Sequence, residues 1–175
     1  MRHATGTFEV KIQPQGGICT GLALAAMAAV SLSAFAQEPV MRHATGTFEV
    51  KIQPQGGIGP ESSDGNSLSR LSLDKTFSGD LVGTGVGEML AARAQVATSA
   101  SYVAIERVTG TLDGKAGTFV LVHRGVMHDG QQQLEVQVSP GSGTGALAGL
   151  AGTLAIRIEG GQHFYDLSYT LPGTP

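Results

Sequence analysis

The 175-residue chain has no tryptophan, a single cysteine, and charged side chains at only 14% of its positions. One cysteine excludes an internal disulfide. The 11 basic residues are scattered singly and the net charge is −3. That excludes a nucleic-acid surface, because phosphate binding needs clustered Lys and Arg. The apolar run Cys19–Ala36 is short and rich in small residues, whereas a membrane span needs about 20 apolar residues. His123 and His163 belong to no spaced ligand motif, so neither a metal nor a cofactor is expected. No elbow motif surrounds a serine, which leaves Ser-His-Asp chemistry without a nucleophile.

What the chain has instead is glycine, 26 of them, and short alternating segments separated by turn pairs. Its most informative stretch runs from Tyr102 to Met127, where two β-branched runs flank Asp113-Gly114. An Asp-Gly pair between alternating apolar residues is the strongest short-range hairpin signal. The two-residue loop sets Val108 opposite Phe119, Glu106 opposite Leu121 and Ala104 opposite His123. Glu106 and His123 then share one face and lie diagonally within reach of each other.

Two further hairpins identify that face as the inside. Asp129-Gly130 sets His123 opposite Val136 and Leu121 opposite Val138, and the new strand is apolar only on that side. Gly160-Gly161 sets Ile158 opposite His163, Ile156 opposite Tyr165 and Leu154 opposite Leu167, with Arg157 diagonal to Asp166 outside. Such one-sided strands bury one face and solvate the other. Earlier in the chain, Phe48, Val50 and Ile52 share a face, as do Leu71, Leu73, Lys75 and Phe77. A turn near Leu81-Val82 carries that face on to Thr84, Val86, Glu88 and Leu90, with Glu88 opposite Lys75. Residues 91–99 form a short helix or an irregular connection. The Gly-rich segment 141–149 is a tight connection, with room for a helical turn at Ala146–Leu150; no βαβ unit surrounds it, so it is not a dinucleotide loop.

The count is eight strands, at 44–53, 69–79, 83–90, 100–112, 115–127, 132–140, 151–159 and 162–171. The expected fold is all-β: an eight-stranded antiparallel up-and-down barrel, which removes exposed edges. A two-sheet sandwich is the structural alternative. A barrel of this size is either filled by side chains or holds one small ligand.

The barrel occupies residues 41–175, and residues 1–40 form a leader. Met1–Ile18 and Met41–Ile58 are identical, whereas structural repeats drift while keeping a pattern. Between the copies, Ala34-Phe35-Ala36 fits a signal-peptide cleavage site. Cleavage after Ala36 implies a periplasmic or secreted protein; a start at Met41 implies a cytoplasmic one. Only one copy can occupy the first strand's slot.

Segments such as Ala44-Thr-Gly-Thr-Phe-Glu-Val, Leu73-Asp-Lys-Thr-Phe-Ser-Gly-Asp-Leu, Tyr102-Val-Ala-Ile-Glu-Arg-Val-Thr-Gly and Gly117-Thr-Phe-Val-Leu-Val-His resemble a bacterial family of unknown function described as having an allene oxide cyclase-like barrel. The resemblance covers nearly all of 41–171 and implies a barrel. It implies no reaction. Plant allene oxide cyclase and proteins with similar barrels act on, or hold, apolar molecules in the lumen.

The inward face is expected to carry Lys75, Glu88, Glu106 and His123 as a candidate acid/base set, with Tyr102 as a hydrogen-bond donor. Phe77, Phe119, Leu121, Val136 and Tyr165, together with Tyr102, are the candidate ligand-binding residues. Buried charges need partners, and carboxylates held near a Lys and a His can be tuned to accept or donate protons. Three functions follow. The first is a barrel that binds a small apolar or amphipathic molecule. The second is an isomerase, cyclase or lyase with Glu106 as base and His123 as its partner. The third is a homo-oligomeric module whose outer face of Val103, Ile105, Val120 and Val122 packs against another subunit.

Overall fold

The computed structural model describes residues 40–59 and 65–173. The leader, its cleavage site and the first copy of the duplicated segment lie outside the described residues. Eight strands follow one another around a closed barrel in chain order: β1 Arg42–Gly57, β2 Ser67–Gly79, β3 Leu81–Arg93, β4 Ala100–Leu112, β5 Lys115–His128, β6 Gln131–Val138, β7 Ala151–Glu159 and β8 Gln162–Thr170. All pairs are antiparallel, and β8 returns to β1. The sandwich alternative is thereby replaced by the closed form.

The three predicted tight turns have the expected backbone. Asp113 and Gly114 have φ 46° and 76°, Asp129 and Gly130 49° and 76°, and Gly160 and Gly161 57° and 83°. Left-handed conformations at both central residues match the right-handed twist of the flanking strands. The register follows: Val108 pairs with Phe119, His123 with Val136, and Ile158 with His163.

The β2–β3 connection differs from expectation. It pivots on Asp80, so Phe77 pairs with Gly83 and Lys75 with Gly85. Asp80 is held in place: its carboxylate accepts the Thr45 N–H at 2.7 Å, and its own N–H donates to the Thr45 carbonyl. This turn inverts the expected parity of β3. Thr84, Val86, Glu88 and Leu90 face outward, and the inward positions are Leu81, Gly83, Gly85, Gly87 and Met89. Arg157 lies diagonal to Asp166 as expected, but the two do not pair. It pairs with Glu159 at 2.8 Å and lies over the Phe164 ring, while Asp166 meets His43 at 3.0 Å. β3 runs on to Arg93, so the connection after it is irregular and short. Residues 139–150 contain no strand, and their one regular element is a 3-10 turn at Gly145–Leu147.

The two ends of the barrel are unlike. One is sealed. Leu81, Leu112, Leu147, Leu150 and Tyr169 there are almost wholly buried. The connection 139–150 is stitched to β5 by hydrogen bonds from Ser139 N–H to the Val120 carbonyl and from Thr144 N–H to the Thr118 carbonyl, each 2.8 Å. The Tyr169 hydroxyl donates to Asp113. The Tyr165 hydroxyl accepts the buried Leu81 N–H at 2.8 Å.

The other end is looser. β6 and β7 share a single ladder pair, Gln137 with Thr153. The β7–β8 hairpin also stops short, so β1 loses its β8 neighbour beyond Phe48. Inward-facing apolar residues at this end reach solvent, with Ile52 47% and Ile158 57% exposed.

Tyr165→Phe should leave the Leu81 amide buried without an acceptor. The expected cost is about 1–3 kcal/mol, read from the urea midpoint at unchanged slope. A variant as stable as the parent would show that this hydroxyl does not close the sealed end.

Candidate functional site

Between the sealed and open ends lies a buried ionic group built from three strands. Lys75 on β2, Glu106 on β4 and His123 on β5 all point inward, at 7%, 0% and 3% exposure. Glu106 Oε2 accepts from Lys75 Nζ at 2.7 Å and from His123 Nε2 at 3.0 Å. A carboxylate oxygen only accepts, so the ring hydrogen sits on Nε2. Glu106 Oε1 has no hydrogen-bond partner.

Glycine makes the room. A Cβ added to Gly85 would stand 1.8 Å from Glu106 Oε1. The carboxylate therefore occupies the volume that a side chain on β3 would fill. Gly83 and Gly87 leave equally little space, with an added Cβ 2.3 Å and 2.2 Å from carbonyl oxygens of β4. The inward surface of β3 around the triad is bare backbone, and β4 packs directly upon it.

Phe48 on β1 completes the group. Its ring lies 4.8 Å from Lys75 Nζ and stacks on His163 at 4.9 Å between centroids. A cation over an aromatic face gains an attraction that a purely aliphatic wall does not give. Phe48 belongs to the site, although the sequence marked it only as a core residue.

Burial by itself would raise the Glu106 pKa, but the hydrogen bond from His123 and the charge and hydrogen bond of Lys75 outweigh it and hold the carboxyl below its ordinary value. The group is an ionised acceptor with two donors on one oxygen. Burial pushes the Tyr102 hydroxyl pKa upward. The Tyr102 ring covers Gly125, where an added Cβ would stand 2.1 Å from it.

The other sequence-predicted residues separate. Glu88 is the clear correction: it faces solvent on the outside of β3, 3.5 Å from Arg70, because the Asp80 turn inverts the strand's parity. Phe77, Phe119, Leu121, Val136 and Tyr165 lie in the packed core. Tyr165 binds the turn at the sealed end. Tyr102 stands half-buried on the open-end side. Among the described residues, no group of three or more His, Cys, Asp or Glu side chains is placed to hold a metal ion. No helix among them is long and apolar enough to cross a membrane.

Two surface depressions lie near the open end. One, of about 690 Å³, sits beside Phe48, Val50, His163 and the Gly160–Gly161 turn. Another, of about 670 Å³, runs over Leu68, Leu90 and Val103 on the outer face beneath Ile58. Neither is lined by Lys75, Glu106 or His123.

The sequence profile of a family described as "Protein of unknown function (DUF3224)" matches residues 44–169. The chain is also similar to a crystal structure of a protein with unknown function from that family, from Shewanella oneidensis MR-1. The two are 48% identical with a TM-score of 0.73, over 77% of this chain and 100% of that one. No curated protein matches the chain.

The paired carboxylate makes two measurable predictions. The depressed Glu106 pKa means that its contribution to stability is present above the ordinary value of 4.5 and is lost as the pH falls through the lowered one. Glu106→Gln leaves the Lys75 ammonium buried without its counter-charge and should cost about 3–5 kcal/mol at neutral pH. The gap to the parent protein should narrow in acid; an equal gap at about pH 7 and about pH 3 would rule out an ionised Glu106. Gly85→Ala should cost about 1–3 kcal/mol, since its methyl meets Oε1 of a carboxylate whose other oxygen is held by two donors. A urea midpoint equal to that of the parent would show that the carboxylate can swing aside.

Proposed function

The chain belongs to the DUF3224 family, whose function is unknown; from that premise, we propose that the barrel binds a small apolar or amphipathic molecule at its open end. One observation carries the reading. Inward-facing apolar side chains at one end of an otherwise sealed barrel are left in contact with water, Ile52 and Ile158 most of all. Val50, Leu71, Met89, Tyr102, Leu134 and Ile156 stand half-buried around them on inward positions. Such concave apolar surface is stabilised by an apolar occupant. The parted β6–β7 seam would supply a way in. The sequence resemblance to barrels that hold apolar molecules would point the same way, at the level of architecture alone.

Lys75, Glu106 and His123 then act as the polar floor beneath that surface. The acid/base alternative asks more of Glu106. A general base works best with a pKa near the working pH, and the two donors on Glu106 move it the other way. The assembly alternative rests on a different surface. Val103 and Ile105 are exposed on the outer face, Ile105 by 64%, with Val86 and Leu90 beside them. Val120 and Val122 are half-buried on the same face.

Titration with anilinonaphthalene sulfonate, an amphipathic fluorescent probe, tests the proposal. One probe per barrel is expected, with binding weakened at least about tenfold, or 1.4 kcal/mol, by Leu134→Asp. Val103→Asp on the outer face should leave it unchanged. Probe binding lost on the outer variant and kept on the inner one would move the site to the exposed valine face and replace the ligand reading with the assembly one.

A further inference from the structure

His123 has two ring nitrogens, and the buried ionic group uses one of them. Nε2 carries the hydrogen given to Glu106. Among the described residues no hydrogen bond reaches Nδ1. Glu106 Oε1 is the one side-chain nitrogen or oxygen among them that is both shut off from water and without a partner. Nδ1, which also has no partner, is therefore reached by water. The side chain points inward and is 4% exposed, so that contact is made from inside the barrel. The next inward position of β5 towards the open end is Gly125, and the Tyr102 ring of β4 lies over it. An added Cβ at Gly125 would stand 2.6 Å from Tyr102 Cζ, the carbon that bears the hydroxyl. No hydrogen bond among the described residues reaches that hydroxyl either. Alternate positions of a strand are about 7 Å apart, and an oxygen hydrogen-bonded to two groups bridges about 5–6 Å.

We infer that the ligand of the open end carries a hydroxyl, which donates to His123 Nδ1 and accepts from the Tyr102 hydroxyl. The inference rests on the ligand reading above and gives it a chemical class, an apolar alcohol or phenol that enters hydroxyl first. Lys75 supplies the cation that Glu106 balances, which leaves the ring of His123 neutral. A neutral imidazole with its hydrogen on Nε2 presents only a lone pair at Nδ1. A hydroxyl answers that acceptor and the Tyr102 donor together. An ether or a carboxylate answers Tyr102 alone and sets oxygen lone pairs against Nδ1; an ammonium answers His123 alone. Glu106 touches no ligand in this arrangement. It is a positioning residue that fixes the tautomer and so leaves Nδ1 bare.

Fluorescence titration of the full chain with 2-naphthol, 2-methoxynaphthalene and naphthalene tests this, since the three share one apolar ring system. 2-Naphthol should bind about tenfold more tightly than either of the others. Tyr102→Phe should weaken 2-naphthol about threefold to tenfold and leave naphthalene unchanged. His123→Phe should abolish the preference for 2-naphthol over its methyl ether. Where that variant does not fold, the nitrogen NMR resonance of His123 Nδ1 in the unmodified protein decides: it should shift with 2-naphthol and stay in place with the ether. Equal binding of all three compounds overturns the inference and leaves the proposed ligand site standing. A preference that survives in His123→Phe, or an Nδ1 resonance indifferent to 2-naphthol, overturns it as well. Failure of the three compounds and of anilinonaphthalene sulfonate to bind removes the site itself, and this inference with it.

Discussion

One oxygen atom, Glu106 Oε2, receives both the Lys75 ammonium and the His123 ring N–H inside the barrel. Those donors come from β2 and β5, on either side of the β3–β4 pair. A charge fully out of water is tolerated only when it is paired and hydrogen-bonded. The group therefore constrains the register of three strands at once. Shifting any of them by one residue would turn its ionic member outward and leave the others stranded. The apolar layers towards the sealed end supply most of the burial, but they are more tolerant of a slip than this group is.

The constraint extends to strands that contribute no charge. β3 gives up side chains at Gly83, Gly85 and Gly87 so that the carboxylate and the β4 backbone can approach. β1 contributes Phe48, whose ring covers Lys75 and meets His163 of β8. Five of the eight strands thus touch or border the same small volume. The three features where sequence and chemistry are most at odds, a lysine among leucines, a glutamate among valines and a run of alternate glycines, are explained by one another.

Much of this could be read from the residues alone. The Asp113-Gly114, Asp129-Gly130 and Gly160-Gly161 turns fixed their hairpins, and with them the meeting of Glu106 and His123, because a two-residue turn leaves no freedom of register. Lys75 was legible as the single charge on the apolar side of β2. Glu88 was not, for a physical reason. The β2–β3 turn has no Asp-Gly or Gly-Gly pair to mark it, and its shape comes from Asp80 binding Thr45 on a strand far away in sequence. Reading the large residues of β3 as its inner face then followed naturally, since Val86 and Leu90 are the apolar ones. The better signal was the spacing of Gly83, Gly85 and Gly87, a period of two in which one whole face lacks side chains. Phe48 escaped notice because an aromatic over a cation looks, in sequence, like any other core phenylalanine.

The seam between β6 and β7 sets how the barrel responds to crowding within. Around most of the circumference, long ladders make the wall stiff in the hoop direction, and added volume there would have to break many bonds together. At this one junction a lone pair, Gln137 with Thr153, joins the edges. The cylinder is in effect a split ring, able to widen along a single line while its diameter elsewhere stays the same.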